Sequence, residues 1–108
     1  MFAGKLDRRI TLRRATKVQD ALGQEGQTWS DLATVWASRR RASSRETLAA
    51  AEISAAITDV FEIRYDSLWS DLSPLDQVMF DDRSYDIASV EEIGRREGLR
   101  IAAVARAE

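Results

Sequence analysis

Arg39-Arg40-Arg41, with Arg45 four positions further on, is the densest cationic run in this chain of 108 residues. Guanidinium groups bind phosphate oxygens bidentately and without regard to base sequence, so the chemistry open to this run is contact with a nucleic-acid backbone. A solvated strand end whose arginines pair with local acids is the plainer alternative, and the residues alone leave both open. Acid–base or metal chemistry would have to come from Asp81-Asp82, Glu91-Glu92, or Asp71 with Asp76. Paired carboxylates do such work only where a pocket brings them together and shifts one pKa; in turns and on polar strand faces they are ordinarily solvated. The chain has no histidine and no cysteine, and its lysines are Lys5 and Lys17. Thiolate and imidazole nucleophiles and the usual zinc ligands are therefore missing. Gly23 and Gly26 lack the Lys-Ser/Thr ending that a phosphate-cradling loop needs. The expectation is a protein without catalytic residues, metal or cofactor.

The elements that must carry the arginines are mostly strands. Arg8-Arg9-Ile10-Thr11-Leu12-Arg13-Arg14 alternates apolar with charged positions. After a polar turn spaced by Gly23 and Gly26, Leu32, Thr34 and Trp36 alternate with Ala33, Val35 and Ala37, a two-residue period. Phe61, Ile63 and Tyr65 share one face opposite Glu62 and Arg64; Tyr85, Ile87 and Ser89 share another. Polar turns at Asp81-Asp82 and at Gly94-Arg95-Arg96-Glu97 mark hairpins. The reading is six strands, at about 7–15, 29–40, 58–66, 76–81, 84–92 and 98–105. These form an all-β domain spanning 1–108, a small antiparallel barrel or sandwich. One short helix interrupts it. Ser43 with Glu46 three residues on is a capping-box signature, and the alanine-rich run that follows holds only Leu48 and Ile53 as sizeable apolar residues. Such a helix, roughly 20 Å long, is barely stable alone and needs a docking surface or a partner. It lies in an excursion, 38–57, between the second and third strands. Trp69, in the loop before Pro74, is expected to plug one end of the core; docking of a partner is the other role open to it.

Length and composition allow one modest core. No apolar run approaches the ~20 residues of a membrane span, and Met1-Phe2-Ala3-Gly4-Lys5 lacks the apolar core of a signal peptide; a soluble protein with no membrane partner is expected. Residues 1–50 hold ten basic and five acidic side chains, and residues 51–108 hold six and thirteen. Interleaving of the two halves would give a mixed surface. Segregation would give a polarised subunit suited to head-to-tail association.

The ordered set of these pieces carries a resemblance over nearly the whole chain. Leu6-Asp7-Arg8-Arg9-Ile10-Thr11-Leu12, Asp20-x-x-Gly23 leading to Trp29 and Ala33-Thr34-Val35-Trp36-Ala37, Thr58–Tyr65, Phe80–Ile87 and Leu99–Val104 together resemble the small head-tail joining proteins of long-tailed bacteriophages, also called head-closure or stopper proteins. Gln77-Val78 departs from the arginine-isoleucine pair common there. The resemblance implies a structural role in the neck of a virion or phage-like particle, made in the bacterial cytoplasm: a homo-oligomeric ring, dodecameric in the family. That ring sits beneath the portal or adaptor ring, holds packaged double-stranded DNA and offers a surface to tail-terminator and other tail proteins. It also implies that 38–57 projects from the barrel and lines or plugs the channel. Arg39, Arg40, Arg41 and Arg45 would then face DNA, and the segment carrying Ser43, Glu46, Leu48 and Ile53 would close the channel. A tail-terminator or tail-completion protein of the same junction is the nearest alternative, and a small nucleic-acid-binding barrel the next. For the latter, Trp29 and Trp36 precede the arginines where stacking platforms would interleave with them.

Overall fold

The computed structural model describes residues 5–19, 21–23, 25–43 and 57–106. Six antiparallel strands, β1 (Arg8–Gln19), β2 (Glu25–Arg41), β3 (Asp59–Arg64), β4 (Gln77–Phe80), β5 (Arg83–Ile93) and β6 (Gly98–Ala105), close into a barrel in the order β1-β2-β3-β6-β5-β4. Closure removes the free sheet edges of the barrel body. Inside, Ile10, Leu12, Phe61, Ile63, Val78 and Ile101 are fully buried. Phe61 sits at the centre, edge-on to Phe80 at 5.8 Å and to Tyr85 at 5.4 Å between ring centroids.

The β1–β2 hairpin is longer than its side-chain pattern predicts. Its ladder runs from Arg8↔Ala37 out to Gln19↔Glu25, whereas β1 meets β4 only over Thr11–Arg13. Residues 14–19 of β1 therefore pair with β2 alone and form an arm beyond the barrel. An arm with no core beneath it needs no apolar alternation, only paired backbone groups, so this stretch reads as a turn in sequence. The turn itself is confined to the arm's tip, where Gly23 has φ +82°. Gly26 is not a turn residue: it pairs with Val18 inside β2, and Gly23 and Gly94 are the glycines with positive φ among the described residues.

Two bulges correct two expected faces. Leu12 pairs with Ala33 and Arg13 with Asp31, so Leu32 is an extra residue in β2. Leu32 consequently packs toward the core along with Val35, while Trp36, expected on its face, is 52% exposed. Ile87 pairs with Ala103 and Ser89 with Ala102, which makes Ala88 the extra residue of β5. The inner series is Tyr85, Ile87 and then Val90, and Ser89 faces solvent. A bulge inverts the side-chain phase of everything beyond it.

Connections follow local chemistry. Asp81 and Asp82 have φ 53° and 60°, the two positive values of a tight hairpin turn, which aspartate tolerates better than most residues. Gly94 and Arg96 adopt φ 61° and 56° in the β5–β6 loop. Between β3 and β4, Asp66 caps a single 3-10 turn (Ser67–Trp69) by accepting from the Leu68 amide at 2.9 Å, and Leu72 is buried beneath it. The expected helix after Ser43 lies outside the described residues.

Candidate functional site

Residue register places the arginine run at one mouth of the barrel. Ala37 pairs with Ile63 and Arg39 with Phe61; cross-strand partners share a face, so Arg39 is turned inward where the core ends. Its Nη2 lies 2.8 Å and its Nε 3.0 Å from Asp59 Oδ1, and the guanidinium carbon is 5.8 Å from the centre of the Phe80 ring. Asp59 is 4% exposed. Its other oxygen accepts from the Thr58 hydroxyl at 2.8 Å, and that hydroxyl accepts in turn from the Ala105 amide at 2.9 Å. Thr58 N donates to Ala103 O, and Ala42 N donates to Thr58 O, both at 3.0 Å. The two points where the chain leaves and re-enters the barrel are therefore hydrogen-bonded to each other and to β6. They form a clasp at the root of the excursion.

The other arginines fare differently. Arg40, in register with Val60, faces outward, and Arg41, in register with Asp59, is the last residue of β2; both are exposed. Ser43 is exposed just beyond them. Arg45, Glu46, Leu48 and Ile53 lie outside the described residues. The structure thus brings Arg39, Arg40 and Arg41 to one mouth, with Arg39 engaged by an acid that sequence reasoning passed over. The signal was present: Asp59 falls in the same two-residue phase as Phe61 and Ile63, an otherwise apolar face where a carboxylate requires a cation.

At the opposite mouth, Arg14 at the base of the arm holds the β3–β4 loop. Its Nε donates to Asp76 Oδ1 at 3.1 Å and its Nη2 to Asp71 Oδ1 at 3.0 Å. Asp76, 4% exposed, also accepts from the Ser73 amide at 3.1 Å. Of the carboxylates that invite a metal or acid–base reading, Asp71 and Asp76 are thus occupied with one guanidinium. Trp69 is half-buried against the core, its indole N–H donating to Arg64 O at 2.9 Å. Two cations of the basic half meet acids of the acidic half within one chain: Arg14 with Asp71 and Asp76, and Arg39 with Asp59.

Hydrogen bonding to Arg14, reinforced by its charge, holds the Asp71 carboxyl below its ordinary value. A folded-state pKa depressed in this way contributes stability above the unfolded value and loses it as pH falls through the folded one. The tie between loop and arm is therefore expected to be at full strength at neutral pH and to weaken only in acid more extreme than an ordinary aspartate needs. In a carboxyl-detected NMR titration, Asp71 should titrate below the usual aspartate midpoint and return to it in Arg14→Gln. An unchanged midpoint would remove the tie.

On the outer wall, Glu62, Arg100 and Glu91 stand in one row across β3, β6 and β5. Arg100 Nε is 2.9 Å from Glu62 and its Nη1 3.6 Å from Glu91. Beside the end of β3, Leu6, Asp7, Trp36 and Arg64 line an open groove of about 530 Å³, with the Arg9 guanidinium 4.7 Å above the Trp36 ring. Among the described residues no three His, Cys, Asp or Glu side chains converge as metal ligands do. What this surface offers is charge and shape for binding.

Comparison with known proteins agrees with that character. A family model described as phage head completion protein matches residues 1–106. No curated protein matches the chain. Among solved structures, protein SF1141 from Shigella flexneri 2a is similar over 100% of this chain and 99% of its own, with 27% identity and a TM-score of 0.80. A chain from the virion of a native gene transfer agent particle shares the fold, with 21% identity and a TM-score of 0.63 over 90% of this chain and 91% of its own.

Proposed function

The chain belongs to the phage head completion protein family, and from that premise we propose that it forms a homo-oligomeric ring below the portal or adaptor ring, closes the DNA exit channel after packaging, and presents the surface on which the tail docks. A structural role at the head–tail junction follows from family membership itself. The observation that carries the channel-closing role is the clasp. It fixes both roots of the excursion at one mouth of a closed barrel, so both ends of the intervening segment are held at that mouth. Exposed Arg40 and Arg41 stand on the outgoing root. Repeated around a ring, each arginine becomes a collar of positive charge, suited to phosphates of any sequence. Small alanine side chains in the excursion let several copies crowd at an axis.

The test is complementation. Lysate lacking the protein should contain separate heads and tails by electron microscopy, and purified protein should join them. Joined particles in its absence would end the neck assignment. Within a complementing system, Arg40→Ala with Arg41→Ala should lower DNA retention in filled heads while leaving the unfolding midpoint unchanged. Arg39 must be kept, because its partner is buried. Full retention in that double variant would take these arginines out of the gate.

A further inference from the structure

Thr58 stands just before β3, and each of its polar atoms holds a different part of the mouth. Its amide donates to Ala103 O and its carbonyl accepts from Ala42 N, both at 3.0 Å. Its hydroxyl accepts from the Ala105 amide at 2.9 Å and lies 2.8 Å from Asp59 Oδ2. A hydroxyl has one proton to give. Ala103 O is 3.4 Å from the same oxygen, so the shorter contact takes the proton and Thr58 donates to Asp59. The residue itself is exposed, and its side chain adds nothing to the core cluster.

The carboxylate it meets is divided. Arg39 Nε and Nη2 both lie on Asp59 Oδ1, at 3.0 and 2.8 Å, which leaves Oδ2 to Thr58. The terminal torsion of aspartate has a broad minimum, so the plane of its carboxylate is set by what the two oxygens meet. Thr58 thereby sets the plane that presents Oδ1 to the guanidinium. Its carbonyl holds Ala42, the residue after Arg41. Residues 39–42 are thus tied at both ends to Thr58, at Arg39 through Asp59 and at Ala42 directly. Thr58 is tied in turn to β6, and just past β6 the Arg106 amide donates to Ser84 O at 3.1 Å. The contacts run from β5 to β2 with Thr58 at their middle.

We propose that Thr58 is the positioning residue of the arginine mouth: its hydroxyl, shared between Ala105 and Asp59, fixes residues 39–42 against β6 and so sets where Arg40 and Arg41 stand. This role rests on the reading of those arginines as part of a DNA gate and adds the group that places them. A hydroxyl of purely local importance would hold Ala105 alone.

Thr58→Val keeps the shape of the side chain without the hydroxyl, Thr58→Ala removes a methyl group as well, and Thr58→Ser keeps the hydroxyl. Amide exchange of the full chain, followed by NMR, reads the hydrogen bonds one at a time. In the valine and alanine variants Ala105 should exchange about tenfold faster, the order expected for one lost hydrogen bond. Ala42 should follow it, although its own acceptor, the Thr58 carbonyl, is still present. Phe61 and Ile63, inside β3, should stay as slow as in the native chain, and serine should restore both sites. A native rate at Ala42 overturns the positioning role. So does faster exchange at Phe61 and Ile63, which would make the hydroxyl a support of the whole barrel. In complemented heads Thr58→Val should lose DNA as Arg40→Ala with Arg41→Ala does, and Thr58→Ser should retain it. Full retention with Thr58→Val beside leakage from the double arginine variant overturns the role of Thr58 and leaves the gate standing. Full retention in both removes the gate and this role with it.

Discussion

Arg39→Ala should lower the stability of the isolated domain by about 3 kcal/mol, the low end of the range for breaking a buried ion pair. The low end applies because the Arg39 side chain is about one-third exposed while that of Asp59 is 6% exposed. The loss comes less from the attraction removed than from the carboxylate left behind. Without Arg39, Asp59 keeps, among the described residues, the Thr58 hydroxyl, which cannot compensate an ionised group out of water. For a domain of this size that corresponds to a fall of roughly 12–24 °C in the unfolding midpoint. Arg40→Ala, on the exposed face of the same strand, should move stability by no more than about 0.5 kcal/mol. Replacing both partners, Arg39→Met with Asp59→Leu, should recover most of the loss, because no charge is then stranded. Urea unfolding of the four proteins at constant m separates these cases. A midpoint for Arg39→Ala within error of the native one would mean that the clasp holds nothing.

Phe61→Ala is expected to cost about 3–5 kcal/mol, the usual range for emptying a phenylalanine site in a core. Phe61 is 0% exposed and is the ring on which both Phe80 and Tyr85 stand edge-on. Its removal deprives two further aromatics of a partner along with the transfer energy of its own side chain. Against a total of roughly 5–15 kcal/mol for a typical domain, such a loss leaves little or nothing. Phe61→Leu, which keeps most of the volume, should cost about 1.5 kcal/mol or less. Tryptophan fluorescence during urea unfolding reports both, since Trp69 packs against the same core. Equal costs for alanine and leucine would show that the site collapses freely and that the barrel is not packed around this ring.

Where side chains alternate against a core, the sequence was readable: β3, β4 and β6 begin and end within two residues of expectation, and the barrel is one of the two architectures that the alternation allows. It was unreadable where the backbone alone decides. Residues 14–19 pair with β2 alone, beyond the barrel, so no core-facing periodicity announces them, and their strand character comes from ladder hydrogen bonds that any residue but proline can make. Leu32 and Ala88 are ordinary residues that happen to be supernumerary; a bulge is a relation between two strands and leaves no mark on either alone. The candidate site shows the same division. Arg39, Arg40 and Arg41 were found by type and spacing. The partner that sets Arg39 apart from its neighbours, Asp59, is twenty positions away, and the Arg14–Asp76 pair spans sixty-two. Only the closed sheet brings such pairs together.

The hydrogen bond from Ala42 to Thr58 across the root of the excursion also bears on how this family can diversify. Because the two ends of the segment already meet, its length is nearly uncoupled from the barrel. In a flexible loop with fixed ends, doubling the number of residues adds only about 0.6 kcal/mol of closure entropy. Insertions and deletions there leave the six-strand ladder and its core untouched. The clasp makes the barrel a socket whose stability is expected to depend little on how many residues join its two ends.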